Sequence, residues 1–397
     1  MKTRFFKILV LFLAVSAAVP SFACTSAIFS GKVTPDGRPL LWKHRDTGEL
    51  NNRMAYYPVS AERKYSFIGL ENSRDDEKEI WAGTNSEGFS IMNTASYNLQ
   101  DKKVDLEDQE GAVMYKALGC CKNLADFEKM LSKMKKPIGV EANFGVIDAE
   151  GGAAYYEVNS DEWRKVDIND PKIAPEGYLV YTNHSYTGRI NEGSGYIRYA
   201  TASSITMKQW IKGDAFTPQW IFNNLSRSYY NALLDLDLKK TPQATPSGWF
   251  PDTDFIPRRS TSASIVVKGV KPGEDPSLTI MWTVLGYPPC GVAVPHFAVA
   301  GASQPAPMMK GADSEKSEMC NQALARRAKV FSNGRSNAKN YFNFRLAMKY
   351  IKNLAPVEQA NFDEAQKFMD EMYAAGKVTA ADAAKLYSKL KFGEDVK

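Results

Sequence analysis

The chain is short of the residues that metal sites and Cys–His catalytic pairs are built from. In 397 residues it has three histidines, His44, His184 and His296, and five cysteines, Cys24, Cys120, Cys121, Cys290 and Cys320. No two cysteines stand at the separation of a zinc-binding pair, so buried inert thiols or one disulfide are the readings for the last four. A surplus of one charge is also missing. The formal charge is +5, and Lys2, Arg4 and Lys7 near the start supply three of it, so the remainder carries about +2. That balance argues against nucleic acid as a partner. Beyond the first 23 residues no apolar run approaches the ~20 residues that a membrane helix needs, so no stable membrane insertion is expected there. Repeats and low-complexity tracts are absent. What remains, 44% hydrophobic and 24% charged residues, is the composition of a folded protein with a substantial core.

The start of the chain has the pattern of a secretory leader. MKTRFFK is cationic, ILVLFLAVSAAV is apolar but short for a membrane span, and Ser21-Phe22-Ala23 supplies a small-x-small cleavage site. Cleavage is expected between Ala23 and Cys24, which places the protein in the periplasm or outside the cell. With five cysteines, one thiol stays unpaired even if the others pair twice, and Cys24 is the natural leftover.

Two readings compete for a cysteine at such a place. A bacterial lipoprotein carries its lipid there, but the preceding residues of a lipobox are small or aliphatic, and bulky Phe22 argues against it. Alternatively, cleavage liberates a thiol and an α-amine on one residue. An α-amine titrates near ~7.7 to 8.0 and can take the thiol proton without a histidine.

From Cys24 onward, CTSAIFS and PLLWKH read as two strands around the turn GKVTPDGR. In the returning strand Leu41 and Lys43 share one face, and Leu40, Trp42 and His44 share the other. Arg45 and Asp46 fall where the strand ends, with Arg45 read as lying off the Lys43 face. Further strand and turn units follow at FSIMN, NFGVID, AAYYEV, GYLVYTN, SASIVVKGV and LTIMWTVLG. They are mostly hairpins, so the sheets are expected to be antiparallel. Helical periodicity marks QEGAVMYKALGCCKN, NLADFEKMLSKMKK, GYIRYATASSITMKQWI and TPQWIFNNLSRSYYNALLDL, and the end of the chain reads as all helical. The expected fold class is α+β, two stacked sheets covered by helices. Residues 1–23 are the leader, 24–310 the main domain, and 311–397 a helical segment packed on it.

An Asp at a strand end near the thiol, Asp46, can orient an ammonium, although Arg-Asp neighbours are more often a surface ion pair. Asn93 in SIMNTASYN and Asn183 in VYTNHSY end strand-like runs, where turn chemistry alone also places asparagine. His184 and His44 are read as packing residues, because the α-amine already fills the role of base.

With these residues in hand, the chain resembles the C45-type acyltransferase and hydrolase branch of the linear amide hydrolases. That branch includes the relatives of isopenicillin N acyltransferase, penicillin V acylase and choloylglycine (bile salt) hydrolase. CTSAIFSGKVTPDGRPLLWKHRDT, GTNSEGFSIMNTA, ANFGVIDAEGG with YYEV, VYTNH and MWTVLGYPPCGVAVP carry the resemblance, in that order, over residues 24 to about 300. It implies the four-layer αββα sandwich of N-terminal nucleophile hydrolases. It also implies Cys24 as nucleophile, Asp46 as the group orienting its amine, and Asn93 (backbone) and Asn183 (side chain) as oxyanion donors. Where that branch has arginine three residues before the aspartate, this chain has Lys43, a point charge without arginine's planar fork. A second arginine of the branch falls at Arg258 or Arg259, and Arg259 is the choice here.

The expected activity is hydrolysis of a linear amide in a small N-acylated amine or amino acid, through a thioester and without metal or organic cofactor. Acyl transfer and a C69-type dipeptidase are rivals within the same chemistry. A non-catalytic lipoprotein with lipid on Cys24 is the rival outside it. Acyl specificity and disulfide pairing have no sequence signal, and a homo-oligomer stays open.

Overall fold

The computed structural model describes residues 23–74, 78–100, 108–241, 247–252, 254–312, 314–331 and 341–396. The rest of the leader therefore lies outside the described residues.

The chain opens with the hairpin β1 (Thr25–Phe29) and β2 (Leu40–Asp46), closed by a turn in which Gly37 takes φ 76°. β2 runs two residues past the predicted PLLWKH and is buried along its whole length, because both of its faces are covered.

Next come β3 (Asn52–Tyr57), β4 (Phe67–Asn72), β5 (Ala82–Asn85) and β6 (Ser90–Ala95). The helices α1 (Glu110–Cys120) and α2 (Leu124–Lys133) follow, then β7 (Ala142–Ile147), β8 (Ala153–Val158) and β9 (Trp163–Asp167). Leu124, Phe127, Met130 and Leu131 give α2 its buried stripe at helical spacing. Its first turn is capped by the Asn123 side chain, which accepts from the Asp126 N–H.

The second half of the chain begins with β10 (Tyr178–Tyr181), α3 (Tyr196–Ile211) and α4 (Pro218–Ile221). The single helix expected over TPQWIFNNLSRSYYNALLDL is not what forms. After α4 a wider helical turn ends at Ser226, and the chain enters the small hairpin β11 (Tyr230–Asn231) and β12 (Leu236–Asp237). Asp235, at φ 47°, makes the turn, and a helix cannot pass through that left-handed conformation.

β13 (Trp249–Pro251), β14 (Thr261–Lys268), β15 (Ile280–Leu285) and β16 (Val294–His296) precede α5 (Glu318–Phe331). The end of the chain is helical as expected in α6 (Phe344–Ala375) and α7 (Ala380–Tyr387), but a short strand interrupts it. That strand, β17 (Tyr341–Asn343), pairs with β13.

The strands form a six-stranded sheet in the order β10-β1-β2-β14-β15-β16 and a seven-stranded sheet in chain order from β3 to β9. Every pairing in both is antiparallel. The sheets stack face to face, with β1 and β2 against β6, β7 and β8. Tyr155 of β8 stacks on Tyr181 of β10 with ring centroids 4.1 Å apart, and its hydroxyl meets the Ser26 hydroxyl of β1 at 3.0 Å. Helices α1 and α2 cover the outer face of the seven-stranded sheet with Phe127, Leu131, Met114 and Leu118 against Phe89, Ile91, Phe144 and Tyr156. Helices α3, α4 and α6 cover the other sheet. The result is α+β in four layers, helix, sheet, sheet, helix. α6 is anchored by a buried ion pair: Glu358 accepts from Arg227 at 2.6 and 2.8 Å and from the Ala293 N–H at 2.7 Å.

Candidate active site

Cys24 immediately precedes β1 and is 6% exposed. The β1–β2 ladder sets Thr25 opposite His44 and Ser26 opposite Lys43. Ser26 reaches Tyr155 of the facing sheet, so side-chain alternation turns the Cys24 thiol to the same inner side. Its Sγ lies 4.0 Å from the Asp46 carbonyl oxygen.

Two cations share that inner face of β2. Lys43 and Arg45 are two residues apart and point the same way, which corrects the expectation that Arg45 lies off the Lys43 face. β5 begins at Ala82, one row short of Asn93, and the Lys43 ammonium fills that row. It donates to the Trp81 carbonyl and to Asn93 Oδ1, each at 2.6 Å. Arg45 donates to Asn52 Oδ1 and, at 3.0 Å, to Asn72 Oδ1, and its guanidinium stacks 4.6 Å from the Trp81 ring centroid. Among the described residues neither cation makes an ion pair with a carboxylate. Burial lowers Lys43 to about 7, with the charge of a Cys24 thiolate pulling the other way, and burial lowers Arg45 to about 10. Two desolvated cations hydrogen-bonded to neutral oxygens favour an anion beside them, and the nearby thiol can become one.

Asp46 faces the opposite side of β2, with His44. Its Oδ1 accepts from the Thr261 hydroxyl at 2.6 Å, and its Oδ2 accepts from Arg258 Nε at 2.9 Å and Nη2 at 2.8 Å. Arg258 Nη2 also donates to the Ala23 carbonyl at 3.0 Å, so one guanidinium spans the carboxylate and the peptide group just before Cys24.

Of the Arg-Arg pair it is Arg258, not the chosen Arg259, that reaches Asp46. Arg259 turns away: its N–H donates to Asp252 Oδ2 at 2.9 Å, its side chain donates to the Phe331 carbonyl at 3.0 Å, and its guanidinium lies 4.7 Å from the Phe331 ring centroid. The Thr261 N–H closes a turn onto the Arg258 carbonyl at the start of β14, and that turn aims Arg258 back along β2.

Asn183 follows β10 on the far side of β1. Arg198 of α3 joins it to the thiol residue: Nη2 donates to Asn183 Oδ1 at 2.8 Å, and Nη1 donates to the Cys24 carbonyl and, at 2.7 Å, to Thr25 Oγ1. Asn183 Nδ2 donates to the Ala95 carbonyl at 2.8 Å, which turns the amide toward β6, the strand that carries Asn93. Burial, and after it the Arg258 charge, lowers Arg198 to about 9. The fit around Arg198 is tight. A Cβ on Gly195, at φ 83°, would sit 2.3 Å from Arg198 Nη2.

The histidines take no direct part in this arrangement. Burial lowers His44 to about 4, and its Nε2 meets the Thr261 hydroxyl at 3.2 Å. His184 meets the Thr182 hydroxyl at 3.1 Å and stacks on Tyr196 at 4.5 Å. Among the described residues no three His, Cys, Asp or Glu side chains converge.

The geometry therefore gathers Cys24, Lys43, Asp46, Asn93 and Asn183 around one end of the β1–β2 hairpin and adds Arg45, Arg198, Arg258 and Thr261. Arg198 had a signal that sequence reading passed over. It shares the buried stripe of α3 with Thr201, Ala202 and Thr206, and an arginine on the core face of a helix needs a partner inside.

No protein-family model matches the chain, and no curated protein does. Solved structures give loose overlaps. A variant of conjugated bile acid hydrolase from Clostridium perfringens is 13% identical, with 66% of this chain and 89% of that chain covered at a TM-score of 0.40. An N-acylethanolamine-hydrolyzing acid amidase ortholog of Caenorhabditis elegans is 13% identical, with 61% and 92% covered at 0.37. Penicillin V acylase from Agrobacterium tumefaciens is 12% identical, with 66% and 83% covered at 0.33. Overlaps this loose leave the side-chain geometry to carry the functional reading.

Proposed function

We propose that this chain is an exported cysteine hydrolase of the N-terminal nucleophile type, cleaving a linear amide bond of an N-acylated amine or amino acid through a thioester. The observation that carries this reading is the setting of Cys24: a thiol beside two buried cations, Lys43 and Arg45, whose hydrogen bonds go to neutral oxygens, at the residue a leader peptidase would expose.

Removal of residues 1–23 turns the Cys24 nitrogen into a primary amine and releases Arg258 from the Ala23 carbonyl. Asp46, held by Thr261 and Arg258, is the carboxylate nearest to the new ammonium along the paired strand. The amine takes the thiol proton, and the resulting thiolate gains from the Lys43 and Arg45 charges. The thiolate attacks the acyl carbonyl, and Asn93 and Asn183 supply donors to the oxyanion. The α-ammonium then gives its proton to the leaving nitrogen, and water releases the acyl group from sulfur.

Two measurements test the reading. Mass analysis of the exported chain is expected to find a free Cys24 at its start; a different first residue, or a lipid adduct on it, removes the nucleophile. Purified protein offered a panel of N-acyl amines, N-acyl amino acids and dipeptides is expected to release acid and amine, with an acyl mass trapped on Cys24. Amine products equal in the wild type and Cys24→Ser would overturn the mechanism.

A further inference from the structure

Three sulfur atoms meet on the opposite face of the seven-stranded sheet from Cys24. Cys120 ends α1, Cys121 follows it, and Met130 lies on α2. Cys120 Sγ is 3.7 Å from Cys121 Sγ and 3.7 Å from Met130 Sδ, and all of the cysteines are free thiols.

We propose that Cys120, Cys121 and Met130 form a binding site for monovalent copper, with two thiolates and one thioether as ligands. Metal–sulfur bonds of about 2.3 Å spread over a trigonal or tetrahedral centre put neighbouring sulfurs about 3.8 to 4.0 Å apart. Cys120 Sγ already stands within a few tenths of an ångström of that from both Cys121 Sγ and Met130 Sδ. Thioether is a soft, neutral ligand, which favours Cu(I) over zinc and over hard cations.

The backbone is fixed around the pair. Asn85 Nδ2 donates to the Leu118 carbonyl at 2.9 Å and to the Cys121 carbonyl at 2.7 Å, and the Cys121 N–H donates to the Ala117 carbonyl at 2.8 Å. Cys120 is half-buried and gives an ion its way in, while Cys121 and Met130 are buried. Lys116, one turn back on α1, is the cation that acts on Cys120 and offsets the single negative charge of a copper bis-thiolate. Binding leaves oxidation states unchanged: one Cu(I) ion replaces two thiol protons, which pass to solvent.

The test is anaerobic titration of the full-length protein with Cu(I), kept reduced by ascorbate, against the coloured chelator bathocuproine disulfonate. The wild type is expected to withhold one more equivalent than Cys120→Ser, which keeps the other four cysteines. Met130→Leu, a change of similar volume, is expected to weaken that equivalent by roughly tenfold while thermal unfolding stays that of the wild type. Equal retention by wild type and Cys120→Ser overturns the site, and equal affinity in Met130→Leu overturns the three-sulfur assignment. A peptide mass showing Cys120 and Cys121 joined by a disulfide in protein purified without reductant also overturns it, since an oxidised pair offers no thiolates.

Discussion

The two stacked sheets are put together in opposite ways. The seven-stranded sheet is a meander in which each strand pairs with the next along the chain, from β3 to β9. The six-stranded sheet draws β1 and β2 from the start, β10 from the middle, and β14 to β16 from far downstream. Local pairing closes small loops, whereas the second arrangement must close long ones before any of its contacts forms. Every charged group at the candidate site belongs to the second kind: Lys43, Arg45 and Asp46 on β2, Arg198 on α3, and Arg258 just before β14. The meander contributes neutral groups, Asn93, the Trp81 carbonyl, Asn52 and Asn72. A sheet joined across long distances brings together side chains that no local pattern would place side by side.

Substitutions should therefore separate the sheets, and the largest effect belongs to the assembled one. Cys24→Ser is expected to lower amide turnover by about 10³-fold or more with unfolding unchanged, read by steady-state kinetics beside thermal melts.

Glu358→Ala removes one side of the buried pair that ties α6 to the back of that sheet. It should cost roughly 3 to 5 kcal/mol in denaturant unfolding, because Arg227 is then left buried alone.

Acid should act next. Burial holds His44 and His296 to about 4, below the ordinary 6.5 of a histidine. The unfolded chain then binds more protons between those values, so the stability each contributes is complete above pH 6.5 and is lost as pH falls toward 4. The loss is on the order of 3 kcal/mol for each, read from unfolding midpoints across that range in the wild type and His296→Gln.

Lys43 should split activity from stability. Its cation is present below about 7 and lost above it, so turnover should fall on the alkaline side while the fold gains stability up to the ordinary lysine value of 10.5. In Lys43→Arg the alkaline fall should move up or vanish, since arginine keeps its charge. An unchanged profile would detach Lys43 from the thiol.

The smallest effect belongs to the meander's outer layer. Asn123→Ala, which removes the cap of α2, should cost about 1 kcal/mol and leave turnover alone.

The same contrast explains what could be read in the sequence. The β1–β2 hairpin, α1 to α3 and the antiparallel pairing were legible, because turn residues and periodicity act over a few positions. Cys24, Lys43 and Asp46 share one hairpin, so reading it placed them together. Arg45 was misread: β2 continues past its apolar core, and the alternation that turns Lys43 inward carries on to Arg45. The choice between Arg258 and Arg259 depended on a turn whose Thr261 also binds Asp46, and nothing local marks which arginine such a turn would aim. The helix drawn through residues 217–236 stopped at Ser226, and the left-handed Asp235 then turned a hairpin where the apolar spacing had suggested helix. Arg198 meets Cys24 across 174 positions, a distance at which spacing says nothing.

Chain order gives Asp46 a history. Ribosomes deliver the amino-terminal end first, and most of the meander can close on itself as it emerges. The outer rim of β2 has no neighbour until residues 261–268 arrive, and the two side chains that grip Asp46, Arg258 and Thr261, are translated with them. Cys24 is thus among the earliest of the described residues to be made, while the grip on Asp46 is completed more than 200 positions later. A nascent chain stalled anywhere before that point carries its thiol without the surroundings that would arm it.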